Sequence, residues 1–301
     1  MAEVRAMLAA AGVADARREA DELYAAFVCG ATSAAFLDRD RSMAEAARER
    51  LIASAQRRAA GWPPAYAAGR ANFRGHWLAV DQRVLIPRPE TEGLVEIVLE
   101  YVGAWERRSV GADALAVPAP TLPRSHAPTP LLVADIGTGC GAIAIALALE
   151  ATIAGVIATD VSADALNVAL ENAQALGAKE RISFRRGDLL APLLGDVVDV
   201  VVSNPPYVAS AEWAALEPGV KDYEPRLALD GGADGQDVIR GLVAGARAAL
   251  GPGGLLALEV DARRAQQTAA LAARSGFERV EVRPDLFGRT RYVLGRQPEQ
   301  A

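Results

Sequence analysis

Cysteine and histidine are scarce in this chain. Its 301 residues include two of each, which are Cys29, Cys140, His76 and His126. No pair of them has the spacing of metal ligands, and two cysteines cannot build a disulfide framework. We therefore predict neither a bound metal nor a disulfide framework.

Long apolar runs and an excess of positive charge are also missing. Although 51% of the residues are hydrophobic, the longest apolar stretches stay well short of the ~20 residues that span a bilayer. The first residues lack the cationic-then-apolar order of a signal peptide, so we expect a soluble cytoplasmic protein with no membrane partner. The net charge of -6 disfavours broad contact with phosphates, which rests on clustered lysine and arginine. No stable nucleic-acid partner is expected.

The first part of the chain, residues 1–65, is a predicted helical domain. Segments 2–11, 15–29 and 43–59 place apolar residues three to four apart, which predicts three helices. We interpret the charged side of the third helix as a solvated face, and the alternative is a docking surface for a macromolecule. The arginines in question are Arg41, Arg48, Arg50, Arg57 and Arg58.

Residues 66–103 are a predicted connector made of a β-hairpin and a helix. Residues 71–86 alternate like two short strands around a turn. An apolar-periodic run from Leu94 to Val102 predicts a helix, for which Thr91 is the expected N-cap. Residues 104–130 then hold five prolines, which predicts an extended linker or insert without a core of its own.

From Leu131 onward, in residues 131–301, apolar strand-like segments alternate with helical segments. Strands separated by helices of ~10–15 residues predict a doubly wound, mostly parallel sheet. The last two strand-like segments predict an antiparallel pair. The predicted fold class is therefore α/β, with a Rossmann-like sheet behind a small helical bundle and a β-hairpin connector.

A glycine-rich turn follows the first of these strands. Glycines allow the backbone to turn sharply and a ligand to approach closely. The turn stands at the carboxyl end of its strand, where open parallel sheets bind their ligands. We predict contacts with a nucleotide-like ligand along Asp135-Ile136-Gly137-Thr138-Gly139-Cys140-Gly141.

Acidic residues end the next two strands. Asp160 stands at about the ~20-residue separation at which an acid meets ribose hydroxyls, and the alternative is a helix-capping role. We expect Asp188 to accept from an adenine amino group while Leu189 covers the ring, and the alternative for Asp188 is an ordinary turn acid. The G-x-G-x-G spacing departs from the fingerprint of pyrophosphate sites, and Asp135 would repel a pyrophosphate but suits the ammonium of a methionine moiety. The predicted ligand is S-adenosylmethionine, with S-adenosylhomocysteine as the product.

The fourth strand runs into the tetrapeptide Asn204-Pro205-Pro206-Tyr207. Two prolines remove two backbone donors and stiffen the chain, which leaves carbonyl oxygens directed outward. The Asn204 side chain and the Pro205 carbonyl can together accept both hydrogens of a planar NH2 group, on which Tyr207 can stack. The tetrapeptide therefore predicts a methyl acceptor that is a planar amide or amino nitrogen. A plain turn at the end of the strand is the alternative.

These motifs together resemble one family of enzymes. DIGTGCGAIAIALA, Asp160 and VSNPPYV resemble amino-methyltransferases that act on adenine, guanine or glutamine. VLIPRPETEGLVE upstream, EPRLALDGGADG downstream and DLFGRTRYVLGR near the end narrow this resemblance to the PrmC/HemK family. The resemblance implies a class I methyltransferase fold behind a substrate-docking helical domain. It also implies methylation of the glutamine side-chain amide in the Gly-Gly-Gln motif of peptide-chain release factors, which modulates translation termination.

The resemblance also implies roles for individual residues. Cofactor contacts are expected at Gly137 to Gly141, Asp160, Leu189 and Asn204, and acceptor contacts at Asn204 to Tyr207, of which Asn204, Pro205 and Tyr207 would be catalytic. Independently of the resemblance, the charges of the IPRPETE segment predict that Arg88 and Glu92 close over the donor or orient the substrate backbone. A structural salt link between hairpin and helix is the alternative for that pair.

Two rival functions remain open at this point. An enzyme that methylates an exocyclic amine of adenine or guanine in DNA or RNA would share the reaction, but its base would have to leave the stack to reach the tetrapeptide. A non-catalytic nucleotide-binding platform would share the fold, since fold alone does not determine function. The acidic balance disfavours the first, and the intact tetrapeptide disfavours the second.

Overall fold

The computed structural model describes residues 1–28, 43–114 and 130–299. The N-terminal domain consists of helices, as predicted, and its core includes Val4, Leu8, Leu23 and Leu51. Cys29, Arg41, His126 and residues 115–129 of the predicted linker lie outside the described residues. The helices are α1 (Ala2–Ala10), α2 (Ala16–Val28), α3 (Glu45–Ala59) and the short α4 (Pro64–Ala68).

The arginines of α3 are engaged within their own domain. Arg58 forms an ion pair with Glu19 on α2, and Arg57 donates to the Ala67 carbonyl at 2.9 Å. Arg50 lies over the Phe27 ring, 5.1 Å from its centroid. These contacts stabilise the helical bundle, and they test neither the solvated face that was predicted nor the docking surface that was its alternative.

The predicted hairpin is present, with strands β1 (Arg70–Phe73) and β2 (His76–Ala79) paired antiparallel. Helix α5 (Pro89–Ala114) follows and differs from the prediction at both ends. It begins at Pro89, because proline is well suited to a first helical turn. Thr91 is therefore inside the helix and buried, and it is not the N-cap. The helix also includes residues 104–114, the first part of the predicted linker. These residues contain no proline, which disfavours a helix interior, because the first proline of the linker is Pro118.

Seven strands form the predicted doubly wound sheet. The strands are β3 (Leu132–Ile136), β4 (Gly155–Asp160), β5 (Ile182–Arg186), β6 (Val198–Ser203), β7 (Leu250–Glu259), β8 (Glu278–Pro284) and β9 (Thr290–Arg296). Their order in the sheet is β5-β4-β3-β6-β7-β9-β8. The first five in this order are parallel, β9 is antiparallel to β7, and β8 is antiparallel to β9.

Helices cover both faces of this sheet, so its buried strands carry near-continuous apolar runs. Alternate residues of β3 belong to different cores: Val133 packs with α5, α6 and α7, and Ala134 packs with α9 and α10. The helices are α6 (Ala142–Glu150), α7 (Ala163–Ala175), α8 (Pro218–Lys221), α9 (Asp237–Ala249) and α10 (Ala265–Arg274). Sequence analysis did not predict α8, which lies between β6 and α9 with short 3-10 turns at 210–215 and 226–228. Among the described residues, no helix combines the length and apolarity needed to cross a membrane.

The strand order locates the ligand site. From β3 the chain winds outward through β4 to β5 and then crosses back to β6 on the other side of β3. In open α/β sheets, ligands bind outside the carboxyl ends of the strands at this point of reversal. The ends of β3 and β6 carry the glycine-rich turn and the Asn204-Pro205-Pro206-Tyr207 tetrapeptide.

Candidate active site

A cavity of about 420 Å³ opens at the carboxyl ends of β3, β4 and β6. This volume is within the range of roughly 300–1,000 Å³ of small-molecule sites. Predicted residues from four separate segments meet on its wall, together with Leu227, Val238 and Leu242, which sequence analysis missed. The predicted ones are Gly137, Gly139, Asp160, Asp188, Leu189, Asn204, Pro205 and Pro206.

The three glycines of the turn have different roles. Gly137 and Gly139 line the cavity at φ values of +73° and +56°, and a Cβ added at either would meet nothing within 4 Å. Glycine at these two positions therefore keeps the cavity wall open. A Cβ at Gly141 would instead lie 3.0 Å from Ile145 and 3.2 Å from Ala169. The third glycine thus allows α6 and α7 to pack closely.

Asp160 is fixed at the cavity wall by two backbone amides. Its Oδ2 accepts from the Gly139 N–H at 3.0 Å, and its Oδ1 accepts from the Ser162 N–H at 2.9 Å. Burial raises the pKa of Asp160 above its ordinary value. Each carboxylate oxygen has two lone pairs, so the carboxylate can still accept from further donors.

Three predicted contact residues of the turn stand behind the cavity wall. Asp135 is completely buried, and its Oδ2 accepts from the Thr138 hydroxyl at 2.7 Å and from the Ala144 N–H at 3.1 Å. Burial raises the pKa of Asp135 to about 7 and the pKa of the Cys140 thiol to about 12. The side chains of Asp135, Thr138 and Cys140 join the turn to α6 and do not line the cavity, and their predicted contacts with the ligand stay predictions.

Leu189 reaches the cavity in an unusual backbone conformation. Its φ of +48° lies in the left-handed region, which costs a non-glycine residue roughly 1–2 kcal/mol. A Cβ at Gly241 of α9 would lie only 2.4 Å from Leu189 Cδ1, so this glycine makes room for the leucine side chain. Asp188 lines the cavity beside it.

The Asn204-Pro205-Pro206 segment forms a wall between two cavities. Beyond the first lies a second cavity of about 180 Å³, which Tyr207 and Arg88 also line. Ser203 joins the end of β6 to β3 by donating to the Ile136 carbonyl at 2.6 Å. Burial, together with the nearby Glu259 carboxyl group, raises the pKa of Tyr207 to about 12. Because Asn204, Pro205 and Pro206 line both cavities, a group transferred from one cavity to the other would pass this segment.

The downstream DGGADG sequence packs directly against the tetrapeptide. The Val208 N–H donates to the Leu229 carbonyl at 2.9 Å, and the Gly231 N–H donates to the Val208 carbonyl at 2.8 Å. A Cβ at Gly231 would lie 2.7 Å from the Pro206 carbonyl oxygen, and one at Gly235 would lie 2.4 Å from the Tyr207 carbonyl oxygen. Only glycine allows this close approach, so the loop holds the backbone of the tetrapeptide in place.

A buried chain of hydrogen bonds extends from Asn204 to Glu259. The Asn204 Nδ2 donates to Thr91 Oγ1 at 3.0 Å, and the Thr91 hydroxyl donates to Glu259 Oε2 at 2.8 Å. Glu259 is 1% exposed, and burial raises its pKa to about 7. Sequence analysis missed Glu259, for which the only signal was an acid at the end of a buried strand.

The two upstream residues separate into different roles. Arg88 lines the second cavity and forms an ion pair with the buried Glu224. Glu92 accepts from the Arg74 N–H at 2.9 Å at the hairpin turn and lines neither cavity. Glu92 therefore makes the link between hairpin and helix that was its alternative, and its substrate contact stays a prediction.

Fold and site together define the class of protein. A doubly wound sheet with an open glycine turn, an acid at the end of β4 and an Asn-Pro-Pro-Tyr wall is that of an S-adenosylmethionine-dependent methyltransferase. The Methyltransferase small domain family matches residues 116–217, and the PrmC N-terminal domain family matches residues 1–69. The solved structure of the hMettl16 catalytic domain in complex with MAT2A 3'UTR hairpin 6 has a TM-score of 0.54 at 14% identity, over 86% of this chain and 84% of that chain. This likeness shows the shared fold.

Relatives of similar length identify the family. Release factor glutamine methyltransferase of Moorella thermoacetica is 41% identical, over 97% of this chain and 95% of the relative. The enzyme of that name from Deinococcus radiodurans is 40% identical, over 99% of this chain and 97% of the relative. The chain belongs to the release factor glutamine methyltransferase family.

The residues at the first cavity fit S-adenosylmethionine. Gly137 and Gly139 leave open space where a side chain would stand. Beyond its backbone hydrogen bonds, the Asp160 carboxylate can still accept from further donors, which suits the two cis hydroxyls of a ribose. Leu189 supplies an apolar surface.

Proposed function

We propose that this protein transfers the methyl group of S-adenosylmethionine to the glutamine side-chain amide in the Gly-Gly-Gln motif of peptide-chain release factors. The observation that carries the proposal is the orientation of Asn204. Its Nδ2 donates to Thr91 Oγ1, and within the described part of the chain no group donates to its Oδ1. This oxygen is left to accept from a substrate at the wall between the two cavities.

The donor belongs in the first cavity. We assign the ribose hydroxyls to Asp160, the adenine to Asp188 and Leu189, and the methionine end to the backbone of Gly137 and Gly139. When bound there, S-adenosylmethionine supplies an electrophilic methyl group on a sulfonium. The glycines permit a close approach of this ligand to the end of β3.

The acceptor amide belongs at the second cavity. An amide nitrogen is a poor nucleophile because its lone pair is delocalised. Asn204 Oδ1 and the Pro205 carbonyl would accept its two hydrogens, which raises the electron density on nitrogen and fixes the lone-pair axis. Pro206 and Tyr207 would hold the planar group by contact and stacking. Arg88 stands at the rim of this cavity for the substrate backbone.

The proposed step balances without a covalent enzyme intermediate. The sulfur–carbon bond breaks as the carbon–nitrogen bond forms, and the sulfur keeps the electron pair. The nitrogen then releases one of its two protons to water. Asn204, Pro205 and Tyr207 position and polarise the amide, and no strong general base is required.

We assign the helical domain, residues 1–65, to docking of the release factor. Methylation of release factors would modulate translation termination and would take place in the cytoplasm, where these factors act. A release factor is a protein substrate, which agrees with the net charge of -6.

The test incubates the purified full-length protein with radiolabelled S-adenosylmethionine and either a release factor or nucleic acid. We expect label in the release factor, and none when its Gly-Gly-Gln glutamine is replaced by alanine. Asn204→Ala should abolish this labelling while leaving S-adenosylmethionine binding largely intact. Label in nucleic acid but not in the release factor would overturn the proposed substrate.

A further inference from the structure

The chemistry of the acceptor site demands one particular orientation of Asn204. A carboxamide can face a substrate with its oxygen or with its NH2 group, and the two ends have nearly the same shape. An acceptor NH2 needs the oxygen, since two NH2 groups repel each other. Something must therefore hold the Nδ2 end of Asn204 away from the substrate.

We propose that Glu259, acting through Thr91, is the positioning residue that sets this orientation. The proposal rests on the proposed function, because it concerns the acceptor nitrogen of that reaction. A carboxylate can only accept hydrogen bonds, so the single hydroxyl proton of Thr91 points to Glu259 Oε2, 2.8 Å away. Thr91 Oγ1 can then only accept from Asn204, and the group that donates to it at 3.0 Å is Nδ2.

Burial makes this arrangement difficult to replace. Thr91 is 4% and Glu259 is 1% exposed, so bulk water does not compete for the bonds. A flipped Asn204 would place its Oδ1 against Thr91 Oγ1, with no proton between two acceptors. Buried acceptors without donors are costly, so the buried carboxylate selects a single orientation of the amide.

The donor-to-acceptor direction of the hydrogen bonds from Asn204 through Thr91 to Glu259 depends on whether Glu259 is protonated. A protonated Glu259 can donate to Thr91, which frees the threonine proton to donate to Asn204 Oδ1 and permits the flipped state. Burial is the main cause that raises the pKa of Glu259 to about 7, which sets the pH range of this change. Among the charged neighbours of Glu259, Glu90 opposes its ionisation, whereas Arg88 and Arg291 favour it. Two tyrosines also face Glu259, whose carboxyl group helps to raise the pKa of Tyr207 and of Tyr292.

The test measures kcat and KM for the release factor, with the S-adenosylmethionine Kd and Tm as controls. In Thr91→Val the hydroxyl is lost at constant shape, and we expect kcat to fall by about tenfold to a hundredfold, as for a misoriented reacting group. Thr91→Ser keeps a hydroxyl and should restore most of this loss. In both variants the Kd should stay near that of the wild type, because Thr91 does not line the donor cavity.

The pH profile distinguishes positioning from a merely structural role. In the wild type, kcat should fall as the pH drops below about 7, when Glu259 becomes protonated. Glu259→Gln cannot ionise, so it should have a low kcat without that acidic limb. Wild-type kcat in Thr91→Val, equal losses in Thr91→Ser and Thr91→Val, or an unchanged acidic limb in Glu259→Gln would each overturn the proposal. Failure of the proposed function would differ, because the wild type itself would then not methylate the release factor.

Discussion

Gly231 offers a direct perturbation of the acceptor wall that replaces none of the proposed catalytic residues. A Cβ there would lie 2.7 Å from the Pro206 carbonyl oxygen and 2.9 Å from Tyr207 Cα. Ordinary contacts begin at 3.4 Å, so Gly231→Ala must displace the tetrapeptide backbone by about 0.7 Å. Misplacement on the order of 1 Å costs about 10²-fold in rate, and we expect kcat to fall by about tenfold to a hundredfold.

The same contact predicts a loss of stability. Overpacking against backbone that cannot move freely typically costs about 1–3 kcal/mol in the free energy of unfolding. The S-adenosylmethionine Kd should change less than kcat, because Gly231 and Tyr207 do not line the donor cavity and, of the two tetrapeptide residues that the Cβ would displace, only Pro206 does. Gly219→Ala in α8 is the matched control, since its Cβ would meet nothing within 4 Å, and it should keep wild-type kcat. Methyl transfer to the release factor at saturating donor is the assay, and wild-type kcat in Gly231→Ala would refute the reasoning.

Three further perturbations test the donor side. Asp160→Asn replaces an acceptor oxygen by an NH2 group, so the S-adenosylmethionine Kd, measured by calorimetry, should rise by about tenfold to a hundredfold. The KM for the release factor should stay unchanged. An unchanged Kd would mean that Asp160 does not bind the donor. Gly139→Ala introduces a methyl group at a φ of +56° and should raise the same Kd by about tenfold and lower the free energy of unfolding by roughly 1–2 kcal/mol; unaltered binding would show that the ligand does not approach the turn. Burial raises the pKa of Asp135 in the folded protein to about 7, so the folded state binds this proton more tightly than the unfolded state does. The contribution of Asp135 to the free energy of unfolding is therefore fully present below its ordinary pKa and is lost as the pH rises through about 7. The free energy of unfolding, measured by denaturation at about pH 5 and about pH 8, should therefore change less with pH in Asp135→Asn than in the wild type. An equal change in both proteins would contradict the raised pKa of Asp135.

Local sequence was sufficient for the sheet and for the four segments that bring predicted residues to the cavity wall. Gly137 and Asn204 directly follow β3 and β6, Asp160 is the last residue of β4, and Leu189 lies three residues after the end of β5. Because parallel strands share one carboxyl edge, placing the strands also places these residues together. In the structure all four line one cavity. Their contacts with ligands stay predictions.

Side-chain direction and long-range pairing were beyond local sequence. The turn carries Asp135, Thr138 and Cys140 beside the open glycines, but their side chains point to α6 and the core, which a motif alone does not reveal. Thr91 and Glu259 are 168 residues apart, and nothing near either one signals the other. Thr91 resembled an N-cap because threonine is favoured there, whereas its hydroxyl is used in tertiary structure.

Mass-spectrometric localisation of the transferred methyl group tests the central claim most directly. The release factor would be incubated with the full-length protein and S-adenosylmethionine, digested and sequenced by fragmentation. We predict one added methyl group, on the side-chain nitrogen of the Gly-Gly-Gln glutamine, and none after incubation with Asn204→Ala. A methyl group on any other residue, or the same modification by Asn204→Ala, would contradict the account.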